Sequence, residues 1–302
     1  MDEIKQYEKL FRGRNILFIM PSLSSGGAER VMVTIIKHLN RNLYTPKLMV
    51  LNRGKNFLDL EEIGCEVEVI DLKLRRARYA PLTLMSAIKK AKPDTVISTL
   101  GYLNEILSVV LPILPKSIHF IARESSVPSL RNEADSKSKL HHWIYKRFMK
   151  RFDSIVCQSQ EMFEDLNSVY GIPSGQMVVI DNPIDEEYIL RKSKEECFEL
   201  LSEFHNILAV GSLKKVKNYN LLIEEAYSSA PNTKYWIIGE GEERNNLEAL
   251  ISEKGIEDKV ILLGHQNNPW KFMANANEFW QKSHWEGNSN ALKEWCLVAK
   301  VT

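Results

Sequence analysis

Short apolar runs recur along the chain at 15–20, 47–51, 66–70, 95–98, 118–122, 154–157 and 177–180. Several are separated by stretches whose apolar positions return with helical spacing; Val31, Ile35, Ile36 and Leu39 share one helix face. The runs are apolar throughout instead of alternating with polar residues, which predicts strands covered on both faces in a parallel sheet. A second series occupies 206–210, 235–238 and 260–263 and fades near Phe279. Between the two series, 186–203 is charged and carries no strand signal, so the boundary is placed close to Asp185, giving domains 1–185 and 186–302. The pattern predicts an α/β protein, and binding sites in such sheets lie beyond the carboxyl ends of the strands.

A chain of 302 residues with 44% hydrophobic content can bury two cores of moderate size. The formal net charge of +1 gives no general attraction to nucleic acid or anionic membrane, so any such contact must come from a local patch. Cys65, Cys157, Cys197 and Cys296 show no metal-ligand spacing and read as reduced thiols of a cytoplasmic protein. Residues 1–14 lack the apolar centre of an export signal, and the run at 106–114 is interrupted by Pro112 and too short to span a bilayer. One local patch stands out at 137–152, where Leu140, Trp143, Ile144, Phe148 and Phe152 are mixed with Lys146, Arg147, Lys150 and Arg151. Such a segment is either a core helix with a basic outer face or a helix lying on the inner face of an anionic membrane.

The chemistry concentrates in Ser283-His284-Trp285-Glu286-Gly287-Asn288-Ser289-Asn290-Ala291-Leu292-Lys293-Glu294, where two carboxylates stand eight positions apart around a Gly-Asn-Ser-Asn turn. A glycine-containing turn that opens a helix offers backbone N–H groups and a positive dipole end to an anion. Carboxylates on either side suit a ligand with phosphate in the middle and hydroxyls at both ends, as in a nucleotide sugar. Read alone, two glutamates at this spacing are equally a solvated helix face. Other glycine-bearing segments follow strands: Met20-Pro21-Ser22-Leu23-Ser24-Ser25-Gly26-Gly27-Ala28-Glu29-Arg30-Val31, Val210-Gly211-Ser212-Leu213-Lys214-Lys215-Val216-Lys217-Asn218, Ile238-Gly239-Glu240-Gly241 and Leu263-Gly264. Three acids, Glu240, Glu242 and Glu243, and Arg244 in place of a third glycine exclude a dinucleotide fingerprint at Gly239.

Taken in order from Asn15 to Glu294, and with Asn182-Pro183-Ile184-Asp185, these segments resemble family 4 glycosyltransferases, retaining enzymes with the GT-B fold. The resemblance implies two Rossmann-like domains facing a cleft, and a sugar moved from a nucleoside diphosphate, expected to be UDP, to a hydroxyl of a surface polysaccharide or lipid-linked glycan. It implies that Glu286 orients the sugar as the catalytic carboxylate and that Glu294 binds the ribose. The diphosphate would meet Lys217 and the turn of Gly287, Asn288, Ser289 and Asn290, with Gly26 and Gly27 leaving room for the donor. The family supplies an arginine at the position of Ser212; here only the lysine remains, and Lys214 is the candidate to compensate. Arg123 and Glu124 are candidate acceptor contacts by position, and His265 falls where the family's backbone meets the nucleobase. No Asp-x-Asp occurs, so transfer without a metal or cofactor is expected. Glu278 and Gln281 stand where the family has apolar strand residues, and the family continues beyond Trp295-Cys296-Leu297-Val298-Ala299-Lys300-Val301-Thr302. Two readings follow: an active transferase, or a nucleotide-binding remnant with an incomplete second domain and no turnover.

Overall fold

The computed structural model describes residues 2–24, 26–54, 58–74, 80–133, 138–200 and 203–300. The chain divides into two compact units, Met1–Pro183 and Ile184–Thr302.

The first unit contains strands β1 (Asn15–Met20), β2 (Thr45–Val50), β3 (Glu68–Asp71), β4 (Thr95–Thr99), β5 (His119–Arg123), β6 (Ser154–Cys157) and β7 (Met177–Val179). Its helices are α1 (Asp2–Glu8), α2 (Gly27–His38), α3 (Leu60–Ile63), α4 (Ala80–Ala91), α5 (Gly101–Val110), α6 (Pro128–Glu133), α7 (Ser138–Phe148) and α8 (Gln160–Ser168). All strand pairs are parallel, in the order β3-β2-β1-β4-β5-β6-β7, with Ile16 of β1 opposite both Pro46 and Thr95. Ile16, Leu17, Phe18, Ile19 and Met20 are all buried, because helices cover both faces of the sheet and no polar side chain is tolerated along the run. The order reverses between β1 and β4, and such a switch point opens a crevice beyond the carboxyl ends of those two strands.

The second unit has β8 (His205–Val210), β9 (Thr233–Ile238), β10 (Val260–Gly264) and β11 (Glu278–Phe279), with α9 (Glu186–Ser193), α10 (Tyr219–Ser228), α11 (Arg244–Lys254), α12 (Trp270–Asn275) and α13 (Asn290–Ala299). The parallel order β10-β9-β8-β11 reverses between β8 and β11. Leu213, Leu222, Ile223, Ile237, Leu247 and Trp280 belong to one core. Helices α9, α12 and α13 pack on one another, with Tyr188 meeting Trp270 edge to face at 5.4 Å between centroids.

Glu278 is not a buried charge in a central strand. It lies on the short edge strand β11, exposed, with its Oε1 2.8 Å from His205 Nε2. Among the described residues no helix is long and apolar enough to cross a membrane.

Candidate active site

The reversal between β8 and β11 brings together two loops that the sequence holds far apart. His284 N donates to Val216 O across 2.8 Å and the side-chain Nδ2 of Asn218 donates to Lys282 O, so one backbone and one side-chain bond join the lysine-bearing turn after β8 to the loop after β11. The contact sets Lys217 Nζ 2.5 Å from Glu286 Oε1. Ser283 Oγ donates to that same oxygen at 2.5 Å. Both members of the ion pair are partly covered, with side-chain exposures of 23% and 18%. Ser212, Lys214 and Lys215 are exposed on the same loop. The sequence motifs and their resemblance thus named two residues that meet, although they assigned them to different parts of one ligand.

The turn after Glu286 opens α13. Ser289 is its N-cap: its Oγ accepts from Leu292 N at 3.3 Å and donates to Gln281 Oε1 at 2.6 Å. The hydroxyl expected at a phosphate is therefore engaged in fixing the start of the helix, and Gln281, which looked misplaced in an apolar strand, is the group that holds it. The remaining feature of an anion site, the positive dipole end of a ten-residue helix, lies at Asn290 and Ala291. Glu294 lies on the buried side of α13 at 4% exposure, and Trp270 Nε1 of α12 donates to its Oε2 at 2.8 Å. Trp270 had carried no signal in sequence beyond its size.

The Gly239-Glu240-Gly241 segment has a structural role. Leu213 N donates to Glu240 O at 3.0 Å and Glu243 N donates to Leu213 O at 3.0 Å, so the loops after β8 and β9 are clasped backbone to backbone. A Cβ on Gly239, whose φ is +149°, would sit 1.9 Å from Gly211 O, and one on Gly241 would sit 2.3 Å from Leu213 O. Only residues without side chains permit this approach. His265 is half-buried, with its Nε2 3.1 Å from Asn267 Oδ1.

In the first unit, Gly26 precedes α2 as its N-cap residue, and Gly27 is exposed beside it; Ser25 lies outside the described residues. A Cβ on Gly26 would stand 2.4 Å from Glu29 Oε2, so the constraint there comes from a buried carboxylate that sequence reasoning passed over. Ser24 Oγ donates to Glu29 Oε1 at 3.2 Å. Burial, with a smaller effect of Glu29, pushes the Tyr102 hydroxyl up to about 12. Across the switch point, Leu100 holds φ at +73° as it leads from β4 into α5, a strained conformation for a residue with a side chain. Arg30 is half-buried one turn into α2.

Arg123 and Glu124 do not face an acceptor; both are 0% exposed. The Arg123 guanidinium donates to Tyr7 Oη at 3.1 Å, Thr99 Oγ1 at 3.0 Å and Asn182 Oδ1 at 2.6 Å, so its donors are directed into the interior. Glu124 accepts from Asn104 Nδ2 at 2.7 Å and Tyr145 Oη at 3.0 Å. Burial holds its carboxyl above the usual carboxylate range, with Arg131 and these two hydrogen bonds opposing the shift. A strand-end arginine and glutamate are equally suited to a ligand or to a sealed polar network, and here the fully covered positions give the latter. Nearer the surface, Glu105 is shared between Arg131 Nη2 at 2.7 Å and His141 Nδ1 at 2.6 Å.

The basic segment splits into two faces. Tyr145, Met149 and Phe152 enter the core, whereas Leu140 and Trp143 are 52% and 57% exposed beside exposed Lys139, Lys146 and Lys150. Trp143 meets Phe148 edge to face, and the Arg151 guanidinium lies 4.3 Å from the Phe148 ring centroid. Residue 137 lies outside the described residues.

A family model described as Glycosyltransferase Family 4 matches residues 25–188, and one described as Glycosyl transferases group 1 matches residues 195–296. The chain is 30% identical over 283 residues to the N-acetylgalactosamine-N,N'-diacetylbacillosaminyl-diphospho-undecaprenol 4-alpha-N-acetylgalactosaminyltransferase of Campylobacter jejuni, covering 90% of this chain and 75% of that protein. It is 31% identical over 272 residues to the lipopolysaccharide core biosynthesis glycosyltransferase LpsE of Rhizobium meliloti, covering 89% and 72%. Among solved structures, Anabaena HepE in complex with UDP-glucose superposes with a TM-score of 0.77 at 16% identity, over 94% of this chain and 78% of that one. The lipopolysaccharide outer core galactosyltransferase WaaB superposes at 0.62 with 17% identity over the same shares. The two parallel-sheet units share the GT-B-type fold of these structures.

Proposed function

The chain belongs to glycosyltransferase family 4, and from that premise we propose that it moves a sugar, with retention, from a UDP-sugar to a hydroxyl of a lipid-linked glycan or surface polysaccharide. The observation that carries this reading is the meeting, at the β8/β11 switch point, of a lysine, a carboxylate and the start of a helix. In this reading the diphosphate lies against Lys217 and the amides of Gly287 to Ala291, which stabilise the charge that develops as it departs. Glu286 accepts hydrogen bonds from the sugar, and Glu294, with one oxygen already fixed by Trp270, accepts from the ribose. The bond between the anomeric carbon and the diphosphate oxygen breaks with its electron pair leaving on that oxygen. The acceptor oxygen bonds to the same face of the carbon, and its proton passes to the departing phosphate oxygen.

A lipid-linked acceptor is supported by α7, whose exposed Leu140 and Trp143 sit among lysines. Apolar and aromatic side chains would enter the headgroup boundary while the ammonium groups meet anionic lipid, which supports a reaction at the inner face of the membrane. The name of the Campylobacter relative, which includes a diphospho-undecaprenol, agrees with such an acceptor.

The test is transfer from a panel of UDP-sugars to a polyprenyl-diphosphate-linked saccharide, with the new linkage read by NMR. Glu286→Ala lowers turnover far more than UDP affinity in this reading. Glu294→Ala loses about 1.5–3 kcal/mol of UDP affinity, the range for charge-assisted hydrogen bonds. Unchanged UDP affinity on titrating the Glu294 variant sinks the ribose role, and inversion at the anomeric carbon sinks the mechanism.

A further inference from the structure

We propose that the Lys217–Glu286 ion pair is a latch that makes the site favour intact donor over spent nucleotide. The inference rests on the reading that Lys217 meets the diphosphate and Glu286 the sugar, and concerns what these two groups do to each other. They form no chance contact of mobile side chains. The turn carrying Lys217 and the loop carrying Glu286 are tied by the hydrogen bond from His284 N to Val216 O, and Ser283 Oγ holds the carboxylate oxygen that receives the ammonium. Both side chains are mostly covered, so water screens the pair less than it would at an open surface.

A diphosphate that approaches Lys217 therefore competes with Glu286 for one ammonium group. With an intact sugar nucleotide the exchange is balanced: phosphate oxygens receive the ammonium, and sugar hydroxyls donate to the carboxylate it leaves. With UDP alone the hydroxyls are missing. Glu286 is then left without its counter-charge beside an anionic leaving group, a costly arrangement for a partly covered carboxylate. Reclosure of the pair removes that cost and displaces UDP. The same two residues that bind the donor thus act against product retention once the sugar has gone.

Four proteins test the latch by UDP titration calorimetry: the parent chain, Glu286→Gln, Lys217→Met and the double variant. Removing the carboxylate frees Lys217, so Glu286→Gln binds UDP about fivefold tighter than the parent. In the Lys217→Met background the same substitution changes affinity by less than about twofold, the limit for independent sites. An equal gain in both backgrounds means that Glu286 merely repels the diphosphate, and overturns the latch. No gain in the Glu286 variant, with weaker binding in the Lys217 variant, also overturns the latch while leaving the phosphate role of Lys217 standing. Equal UDP affinity of Glu286→Gln and the double variant overturns that role and the latch with it. Glu286→Ala gives the same comparison if the glutamine variant does not fold.

Discussion

Trp270→Phe isolates a contact by which α12 orients a predicted ligand carboxylate. The indole is 1% exposed and donates to Glu294 Oε2 at 2.8 Å. A phenyl ring keeps the edge-to-face packing on Tyr188 but removes the donor. Because the acceptor is charged and stays buried, the loss is about 1.5–3 kcal/mol, larger than the roughly 1 kcal/mol of a neutral exposed bond. The smaller ring adds on the order of 1 kcal/mol for unfilled volume, giving about 2.5–4 kcal/mol in all. A chain of two compact units need not unfold in a single step, so the readout must be local. Native-state hydrogen exchange of the α13 amides provides it, with protection falling by about 50-fold or more. Glu294→Leu in the same background tests the cause: removing both partners leaves no orphaned carboxylate, so the double variant regains part of the lost protection. If the two substitutions simply add, the hydrogen bond is not what holds α12 to α13, and the positioning of Glu294 by Trp270 is refuted.

Gly239→Ala brings a Cβ to 1.9 Å from Gly211 O at a φ of +149°, so it costs about 1–3 kcal/mol and loosens the loop ahead of Lys217. Parent-like exchange protection of β8 and β9 would count against the clasp. Ser212→Arg adds a charge beside the exposed Lys214 and tightens UDP binding in calorimetry; unchanged affinity means that the missing arginine is already compensated. Burial, reinforced by Arg12 and opposed by Asp153, holds His119 below its ordinary value of 6.5. The unfolded chain then binds that proton more tightly, so this contribution is complete above about pH 6.5 and is lost as the pH falls through the depressed folded value. His119→Asn should flatten that part of the acid limb in urea titrations; an unchanged slope would show that another group sets it.

The strand series was legible because a doubly covered sheet forces apolar runs, and β1 through β7 fall on those runs. The order in which the strands lie was not, since no local pattern encodes that β4 lies beside β1, or β11 beside β8. Lys217 and Glu286 were candidates from the motifs and the resemblance these carry, while their pairing followed only from the switch point. Polar residues at strand ends misled in both directions. Arg123 looked available for an acceptor and is sealed; Gln281 stood where the family has an apolar strand residue and secures the cap of α13. In each case the side chain's chemistry was plain, and its partner, distant in sequence or placed by a turn, decided the role.

Arg123 also has a consequence for the order in which this unit is completed. One guanidinium holds Tyr7 from the first helix and Asn182 from the last residues of the unit, partners 116 and 59 positions away. During synthesis at typical rates, about three to twelve seconds separate the appearance of Arg123 from that of Asn182. Through that interval a strand-end arginine bound for the interior lacks one of its acceptors, so the final docking of α1 and closure of the polar network await the end of the unit. The sheet can assemble early from its apolar runs, but the nascent chain carries this unsealed corner until Asn182 arrives.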